Sequence, residues 1–188
     1  MSRSQSAKKS ADRAQVAALP IRIGETGAPE VLLMTSRETR RWVVPKGWPM
    51  KGRKPWEAAA QEALEEAGIV GRPRKRPAGT YTYFKRQEDH FDVCRVDVFF
   101  LEFAKQLKNW REKGQREIRW LDLSAAADMV EEPGLIALLR QLAARPPVSA
   151  KRKNSKKRAA SPGLGLGPAT TSVPTDLRHR RHRHAGRS

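Results

Sequence analysis

Residues 47–69 read GWPMKGRKPWEAAAQEALEEAGI, a glycine-bearing loop followed by an alanine-rich segment and a further glycine. Proline is favoured at the first position of a helix, and glycine at the left-handed position just after its end. The segment therefore predicts a helix over Pro55–Ala67 with Gly68 as its cap. Its alanines would form a narrow face that lets the helix backbone lie close to a β-sheet.

Three glutamates, Glu62, Glu65 and Glu66, share one face of this predicted helix. Their spacing of i, i+3 and i+4 places the carboxylates within reach of one another, and each like-charged pair costs about 0.2–0.5 kcal/mol. A nearby positive charge should offset that repulsion. Since hard divalent cations prefer oxygen ligands, the cluster predicts a metal site.

Strand patterns lie on both sides of this predicted helix, and further helix patterns follow the last strand. Apolar runs bounded by turn residues predict strands at residues 15–23, 31–34, 42–45, 79–86, 91–103 and 117–123. Charged loops are predicted at 71–77 and 104–116, and Ser124 is the predicted N-cap of a short helix. Leucines at helical spacing predict a last helix: Leu135, Leu138, Leu139 and Leu142. Together these elements predict an α/β fold, an α/β/α sandwich with a mixed β-sheet.

Length and charge indicate one domain with basic tails. The chain has 188 residues and a formal net charge of +18. Residues 151–188 hold eleven Lys and Arg against one Asp, a net charge of +10, and residues 1–18 hold four against one, a net charge of +3. We therefore predict a disordered basic tail over residues 1–14, a folded domain over 15–145 and a second disordered basic tail over 146–188.

The single cysteine, Cys94, excludes an intramolecular disulfide and a cysteine-rich zinc site. It lies in an alternating apolar stretch, which predicts a small buried side chain rather than a reactive thiol. No run approaches the ~18 apolar residues of a membrane span, and the N-terminus lacks the apolar core of a secretory signal. These observations predict a cytoplasmic protein.

Residues 47–69 resemble the Nudix box, the signature of hydrolases that act on a nucleoside diphosphate linked to another group. The box runs Gly, five residues, Glu, seven residues, Arg-Glu, an aliphatic, any residue, Glu-Glu, any residue, Gly, aliphatic. Six positions match in register: Gly47, Glu62, Glu65, Glu66, Gly68 and Ile69. The segment RRWVVPKGWPMKG, residues 40–52, resembles the matching segment of diphosphoinositol polyphosphate and dinucleoside polyphosphate hydrolases, which form one branch of that family. The resemblance implies the Nudix fold over about residues 15–145.

Two positions depart from the box: Arg53 stands where the family has its first Glu, and Gln61 where it has Arg. In the family these two residues look like an ion pair that braces the loop against the helix. Losing both partners is milder than losing one, because an unpaired half-buried charge costs most. A catalytically silent binding module stays an alternative on account of these replacements.

The resemblance implies Mg²⁺ or Mn²⁺ as the cofactor, since such ions neutralise phosphate charge and lower the pKa of a bound water. The implied metal ligands are the main-chain carbonyl of Gly47 and the side chains of Glu62, Glu65 and Glu66. Glu65 and Glu66 are also candidate catalytic groups. Family members often recruit a further glutamate from a later segment, for which Glu117 is the first candidate and Glu112 the second. Which glutamate acts as the base stays open.

Basic residues cluster in sequence around the box, as a substrate with several phosphates would require. The candidate phosphate-binding side chains are Arg37, Arg41, Lys46, Lys51, Arg53 and Arg95. Trp48 is the candidate for stacking on a base, because it lies in the loop beside the predicted metal site. Together, the basic residues favour a small substrate with more than two phosphates, either a diphosphoinositol polyphosphate or a dinucleoside polyphosphate.

Other functions stay open at this point. The substrate could be another nucleoside diphosphate derivative, such as a nucleoside triphosphate, ADP-ribose or 5′-phosphorylated RNA. The tails contain KRKNSKKR and RHRRHRH, which could bind nucleic acid non-specifically by neutralising its phosphates. No motif predicts membrane binding or an oligomeric state.

Overall fold

The computed structural model describes residues 13–86 and 88–146 of the chain. Nearly all of the two predicted tails lies outside the described residues, as do the basic stretches considered for nucleic-acid binding. The first strand begins at Arg13, two residues before the predicted start of the domain. In the described part of the chain, no helix is long and apolar enough to cross a membrane.

The described residues form four strands, a helix, four further strands and then two helices. The strands are β1 (Arg13–Ile23), β2 (Pro29–Thr35), β3 (Trp42–Val43), β4 (Lys46–Gly47), β5 (Ile69–Pro73), β6 (Gly79–Arg86), β7 (Phe91–Gln106) and β8 (Ile118–Asp122). The helices are α1 (Pro55–Ala67), α2 (Leu123–Met129) and α3 (Pro133–Ala144). The helix predicted between the glycine loop and its glycine cap is confirmed at both ends.

The strands form one mixed sheet. Its central path runs β3–β2–β1–β7–β5, with β8 beside β2, β4 beside β1 and β6 beside β7. β1 and β7 are parallel, with Arg13 opposite Cys94 and Ile21 opposite Glu102, and the other strand pairs are antiparallel. β7 pairs with three strands and therefore connects the two halves of the sheet.

Both faces of the sheet are covered by helices. On one face, Ala17 and Leu19 pack with residues of α2 and α3. On the other, Val16 and Ala18 pack with the alanines of α1. Successive residues of β1 thus contribute to opposite cores, as the pleat of a strand requires. The predicted α/β/α sandwich with a mixed sheet is confirmed, and Cys94 is buried as predicted.

Helix α1 lies close to the sheet because its inward side chains are small. Its buried residues are Ala58, Ala59, Ala63 and Ala67. Gly68 ends the helix at a φ of 69°, in the left-handed conformation that glycine adopts easily. A Cβ atom at Gly68 would lie 2.6 Å from the ring of Trp110, so this ring covers the end of the helix. Trp110 thereby positions the segment between β7 and β8.

Three local predictions are wrong. The predicted loop at residues 71–77 begins inside β5, which pairs with β7 through an irregular register. The predicted loop at 104–116 starts later, because β7 continues to Gln106. Helix α2 is capped by Asp122 rather than Ser124, since the Asp122 carboxylate accepts two hydrogen bonds of 2.9 Å from backbone amides of the first turn.

Candidate active site

A cavity of about 820 Å³ opens beside the glutamate face of α1. Two of its other walls come from the connection between β2 and β3 and from β4 with the following Trp48. The remaining walls come from the end of the β6–β7 hairpin and from the segment between β7 and β8. Lining carboxylates from α1 and from the β7–β8 segment are those of Glu62, Glu65, Glu66 and Glu112. Acidic groups from two separate parts of the chain therefore meet in one place.

Glu66 is nearly buried on α1 and receives two hydrogen bonds. The backbone amide of Lys46 donates to Oε2 at 3.0 Å, and Nη2 of Arg116 donates to Oε1 at 2.6 Å. Pairing of β4 with β1 holds the Lys46 amide in place. Burial raises the pKa of Glu66 to about 7, because the positive charge of Arg116 and the Lys46 amide offset only part of the desolvation.

Arg116 was not singled out by its sequence context, yet it joins two of the cavity carboxylates. Its side chain is 6% exposed, compared with 12% for Glu66 and 14% for Glu112. Besides Glu66, it donates to Glu112 at 2.8 Å and to the carbonyl oxygen of Thr35 at 3.1 Å. One buried guanidinium thus neutralises two carboxylates and links the β7–β8 segment to α1 and β2. A lone arginine in a charged stretch carries no local signal for this role.

Glu62 lies against the glycine that opens the loop before α1. A Cβ atom at Gly47 would be 2.1 Å from Oε1 of Glu62, so the absence of a side chain at Gly47 leaves room for this carboxylate. Burial, followed by the charges of Glu65 and Glu112, raises the pKa of Glu62. The Gly47 backbone and the Glu62 carboxylate therefore share one small space at the cavity wall.

Glu65 lies nearer the surface than Glu66, with a side chain that is 27% exposed, and both of its oxygens are hydrogen-bonded. Gln61 donates to Oε1 at 2.7 Å and Arg111 donates to Oε2 at 2.5 Å. The hydrogen bond from Gln61 and then that from Arg111 lower the pKa of Glu65. The backbone oxygen of Glu65 also accepts the amide of Glu112 at 3.2 Å, which holds Glu112 beside the helix.

The fold described above matches a known protein family. A family model described as the NUDIX domain matches residues 13–142. The chain belongs to the NUDIX family. The glycine, the three glutamates and the capping glycine described above are thus its NUDIX box.

Two named relatives match this chain at moderate identity. Nudix hydrolase 12, mitochondrial, of Arabidopsis thaliana is 32% identical over 104 residues, which are 53% of this chain and 51% of the relative. Diphosphoinositol polyphosphate phosphohydrolase 3-beta of Homo sapiens is 29% identical over 150 residues, 78% of this chain and 80% of the relative. The chain thus spans about half the length of the Arabidopsis relative.

Two solved structures share the fold. A C. elegans Ap4A hydrolase binary complex matches with a TM-score of 0.51 at 20% identity, covering 70% of this chain and 96% of that chain. A NUDIX hydrolase from Nitrosomonas europaea matches with a TM-score of 0.55 at 16% identity, covering 71% and 90%. At these identities the likeness concerns the fold alone.

The NUDIX-box carboxylates fit a divalent cation, although their present partners are protein groups. Within residues 13–86 and 88–146, no three Asp, Glu, His or Cys side chains already converge as a metal cage. Glu65 and Glu66 are each held by an arginine instead. The carboxylates supply the oxygen ligands that divalent cations prefer, and Gly47 leaves room for the carboxylate of Glu62. Burial raises the pKa values of Glu62 and Glu66, so a bound cation would stabilise their charged forms.

The structure brings Glu112 to the cavity and leaves Glu117 outside it. The Glu117 side chain is 59% exposed and accepts a hydrogen bond of 2.7 Å from Arg40. Its backbone amide donates to the Thr35 hydroxyl at 3.0 Å, which fixes the start of β8 rather than the cavity wall. The geometry therefore favours Glu112, the second candidate, as the carboxylate recruited from beyond the NUDIX box.

The predicted phosphate-binding residues divide into two groups. Those that line the cavity are Arg37, Arg41 and Lys46. Those that do not line it, in the described chain, are Lys51, Arg53 and Arg95. Arg95 instead lies on β7, 3.6 Å from Asp97. Further positive charge at the cavity comes from Lys85, Arg86 and Arg111.

Trp48, the predicted base-stacking residue, lines the cavity and is partly exposed. Arg13 lies 5.8 Å and Lys85 5.6 Å from its ring centroid. Lys46 lies deeper, with Nζ 5.3 Å from the ring of Tyr83. Burial lowers the pKa of Lys46 more than the neighbouring carboxylates raise it. Cations and aromatic rings therefore alternate along this wall.

The two departures from the NUDIX box form a hydrogen bond of their own. Nη1 of Arg53 donates to Oε1 of Gln61 at 3.2 Å. A hydrogen bond between a charged and a neutral side chain therefore still connects the loop to the helix. The positive group, Arg53, is on the loop, whereas the box pattern has its arginine on the helix. Gln61 donates in turn to Glu65, so the replacement at this position contacts the acidic cluster directly.

Gly47→Ala should weaken metal binding without unfolding the domain. The three atoms nearest to the new Cβ all belong to the Glu62 carboxyl group, at the end of a flexible side chain that can turn away. We expect roughly 10- to 100-fold weaker Mn²⁺ binding, the loss typical when a group that orients a metal ligand is removed. Electron paramagnetic resonance during a Mn²⁺ titration measures the affinity.

Gly52→Ala is the matched control for this substitution. Gly52 lies in the same loop, with open space at its Cβ position and a φ of 79° that disfavours alanine. We expect this variant to lose stability and keep its Mn²⁺ affinity. Equal losses of affinity in the two variants would show that the conformation of the loop, rather than the position of Glu62, controls binding.

Proposed function

We propose that this protein is a metal-dependent pyrophosphohydrolase that cleaves phosphoanhydride bonds in small polyphosphates, either diphosphoinositol polyphosphates or dinucleoside polyphosphates. The observation that carries the proposal is the convergence of the NUDIX-box glutamates and Glu112 on a cavity whose other walls hold arginine and lysine. The name of the human relative, a diphosphoinositol polyphosphate phosphohydrolase, supports the choice of substrate class.

The acidic side of the cavity would hold Mg²⁺ or Mn²⁺. The proposed ligands are Glu62, Glu66 and the carbonyl of Gly47. When bound, such an ion neutralises phosphate oxygens and lowers the pKa of a bound water. Glu65 and Glu112 are then the carboxylates available to orient the attacking water or to accept its proton. Arg111 and Arg116 fix the positions of these two side chains.

The basic side of the cavity would bind the substrate phosphates. Arg37 is the clearest example, because it is 58% exposed and lies 3.4 Å from Glu112, so its guanidinium can contact a phosphate beside the acidic cluster. Guanidinium groups match phosphate oxygens in geometry as well as in charge. The number of lining cations exceeds what one pyrophosphate group needs, which favours a substrate with more than two phosphates.

Purified protein should cleave at least one of these substrate classes, and only with Mg²⁺ or Mn²⁺ present. A suitable panel contains diadenosine polyphosphates, inositol pyrophosphates, ADP-ribose, nucleoside triphosphates and 5′-triphosphorylated RNA, with products separated by ion-exchange chromatography. EDTA should abolish turnover and excess Mg²⁺ should restore it. No turnover on the whole panel with either metal would contradict the proposal and favour a silent binding module.

A further inference from the structure

Three aromatic side chains lie at the mouth of the cavity instead of in the core. Phe84 is 70% exposed, Phe91 57% and Trp48 40%, whereas Phe99 and Phe100, on the same strand as Phe91, are each 5% exposed. All three exposed rings line the cavity. Single exposed apolar residues are common, but aromatic rings gathered at the mouth of a cavity indicate a surface that binds a ligand.

The register of the β6–β7 hairpin puts both phenylalanines on one face. Phe84 pairs with Val93, and Arg86 pairs with Phe91. Because side chains alternate along a strand, Phe84, Arg86 and Phe91 share a face. Phe84 and Phe91 are diagonal neighbours about 7–8 Å apart, a separation that aromatic side chains can span. The hairpin therefore presents two rings and a guanidinium together.

The opposite face of the hairpin is held against the rest of the domain. Lys85 lies 5.6 Å from the ring centroid of Trp48, in the loop before α1. Asp92 pairs with Arg13 of β1 at 3.2 Å. These contacts fix the hairpin beside the cavity, so its two phenylalanines form part of a stable wall.

The exposed aromatic rings suit one of the two proposed substrate classes, the dinucleoside polyphosphates, better than the other, the diphosphoinositol polyphosphates. An inositol ring carries phosphates on its carbons and is not aromatic, so it cannot stack on a side-chain ring through a flat π-face as a nucleobase does. A nucleobase stacks on an aromatic side chain, while adjacent basic residues neutralise the phosphates attached to its sugar. Arg86, on the same face of the hairpin as the two rings, supplies that charge.

We propose that Phe84 and Phe91 form a nucleobase platform, which makes a dinucleoside polyphosphate the preferred substrate over a diphosphoinositol polyphosphate. This inference rests on the proposed function, because the phosphates of the same ligand would extend toward the NUDIX-box glutamates. The cations around the platform favour such an anionic ligand over a second copy of this chain, since two copies would bring like charges together.

The double variant Phe84→Leu/Phe91→Leu tests the platform, because leucine keeps apolar bulk but removes the ring. The value of kcat/KM for diadenosine tetraphosphate should fall about 5- to 150-fold, the contribution of stacking one base. Hydrolysis of inorganic tripolyphosphate, which has no base, should be unchanged. Phe84→Tyr/Phe91→Tyr retains both rings and should match the wild-type protein on both substrates.

ADP binding, measured by isothermal titration calorimetry with Ca²⁺ present, separates this inference from the proposed function. Weaker ADP binding by the leucine variant supports the platform even where no substrate is hydrolysed, in which case only the proposed function fails. Equal ADP affinity, or equal losses on tripolyphosphate and the dinucleotide, overturns the platform. A changed oligomeric state of the leucine variant in sedimentation velocity would assign the rings to an interface between copies and also overturns it.

Discussion

Glu66→Gln should lower the rate of phosphoanhydride cleavage at least about 100-fold, since a bound metal stabilises the transition state by several kcal/mol and each 1.4 kcal/mol is tenfold. Glutamine keeps the shape of the side chain and can still accept a hydrogen bond from Lys46 or Arg116. It lacks the negative charge that would hold a cation. The value of kcat at saturating Mg²⁺, on the best substrate of the panel, measures the effect.

Glu57→Gln is the matched control for Glu66→Gln. Glu57 lies on the same helix but is exposed and outside the cavity. Its carboxylate accepts the backbone amide of Lys54 at 3.1 Å, a hydrogen bond that glutamine can also accept. We expect the wild-type rate from this variant. A Glu66→Gln protein as fast as the wild type would contradict a role for the acidic cluster in hydrolysis.

Arg116→Met should lower the free energy of unfolding of the metal-free protein by about 3–5 kcal/mol, the usual cost of removing one partner from a buried ion pair. Methionine keeps much of the apolar stem of arginine. It leaves Glu66 and Glu112, which are only 12% and 14% exposed, without their shared positive partner. Urea denaturation in EDTA measures the loss.

The loss of unfolding free energy in Arg116→Met should grow as the pH rises and shrink when metal is added. Without the guanidinium, the pKa of Glu66 should rise above its wild-type value of about 7. The folded state then binds more protons than the unfolded state between the ordinary pKa of glutamate and that raised value, so stability falls as the pH rises. Arg116→Met should therefore be more destabilising at pH 8 than at pH 6. Added Mn²⁺ should reduce the difference by restoring a positive charge.

Arg111→Met is the control for burial. Arg111 also pairs with a carboxylate of the cluster, Glu65, but its side chain is 74% exposed. Exposed ion pairs contribute little, so this substitution should cost less than about 1 kcal/mol. If the two arginine variants were equally stable, the buried position of Arg116 would not explain its contribution to folding.

The features that the sequence predicted well depend on residues close together in the chain. Pro55 and Gly68 mark the ends of α1 through their own backbone preferences, and the apolar alternation around Cys94 marks a buried strand. The helical spacing of the three box glutamates places them on one face, and all three line the cavity. Residues close together in the sequence were therefore sufficient to predict helix α1 and the acidic side of the cavity.

The features that the sequence could not supply depend on contacts between distant residues. Strand β5 contains glycine, arginine and proline instead of an apolar alternation, and its pairing with β7 makes it a strand. Glu112 and Glu117 are both acidic and close in sequence. The bond between the Glu112 amide and Glu65 keeps the first at the cavity, while Arg40 holds the second away from it. The role of Arg116 likewise arises only when β2, α1 and the β7–β8 segment come together.

The ring of Trp110 over the end of α1 restricts where the chain can change length. Together with the bond between the Glu112 amide and the Glu65 carbonyl, it attaches the β7–β8 segment to the helix at two adjacent points. An insertion after Trp110 would shift Glu112 or Arg116 away from Glu66. An insertion at the end of the β6–β7 hairpin would reshape the mouth of the cavity instead. Changes of length at the hairpin are therefore compatible with an unchanged spacing of the acidic cluster, whereas changes of length after Trp110 are not.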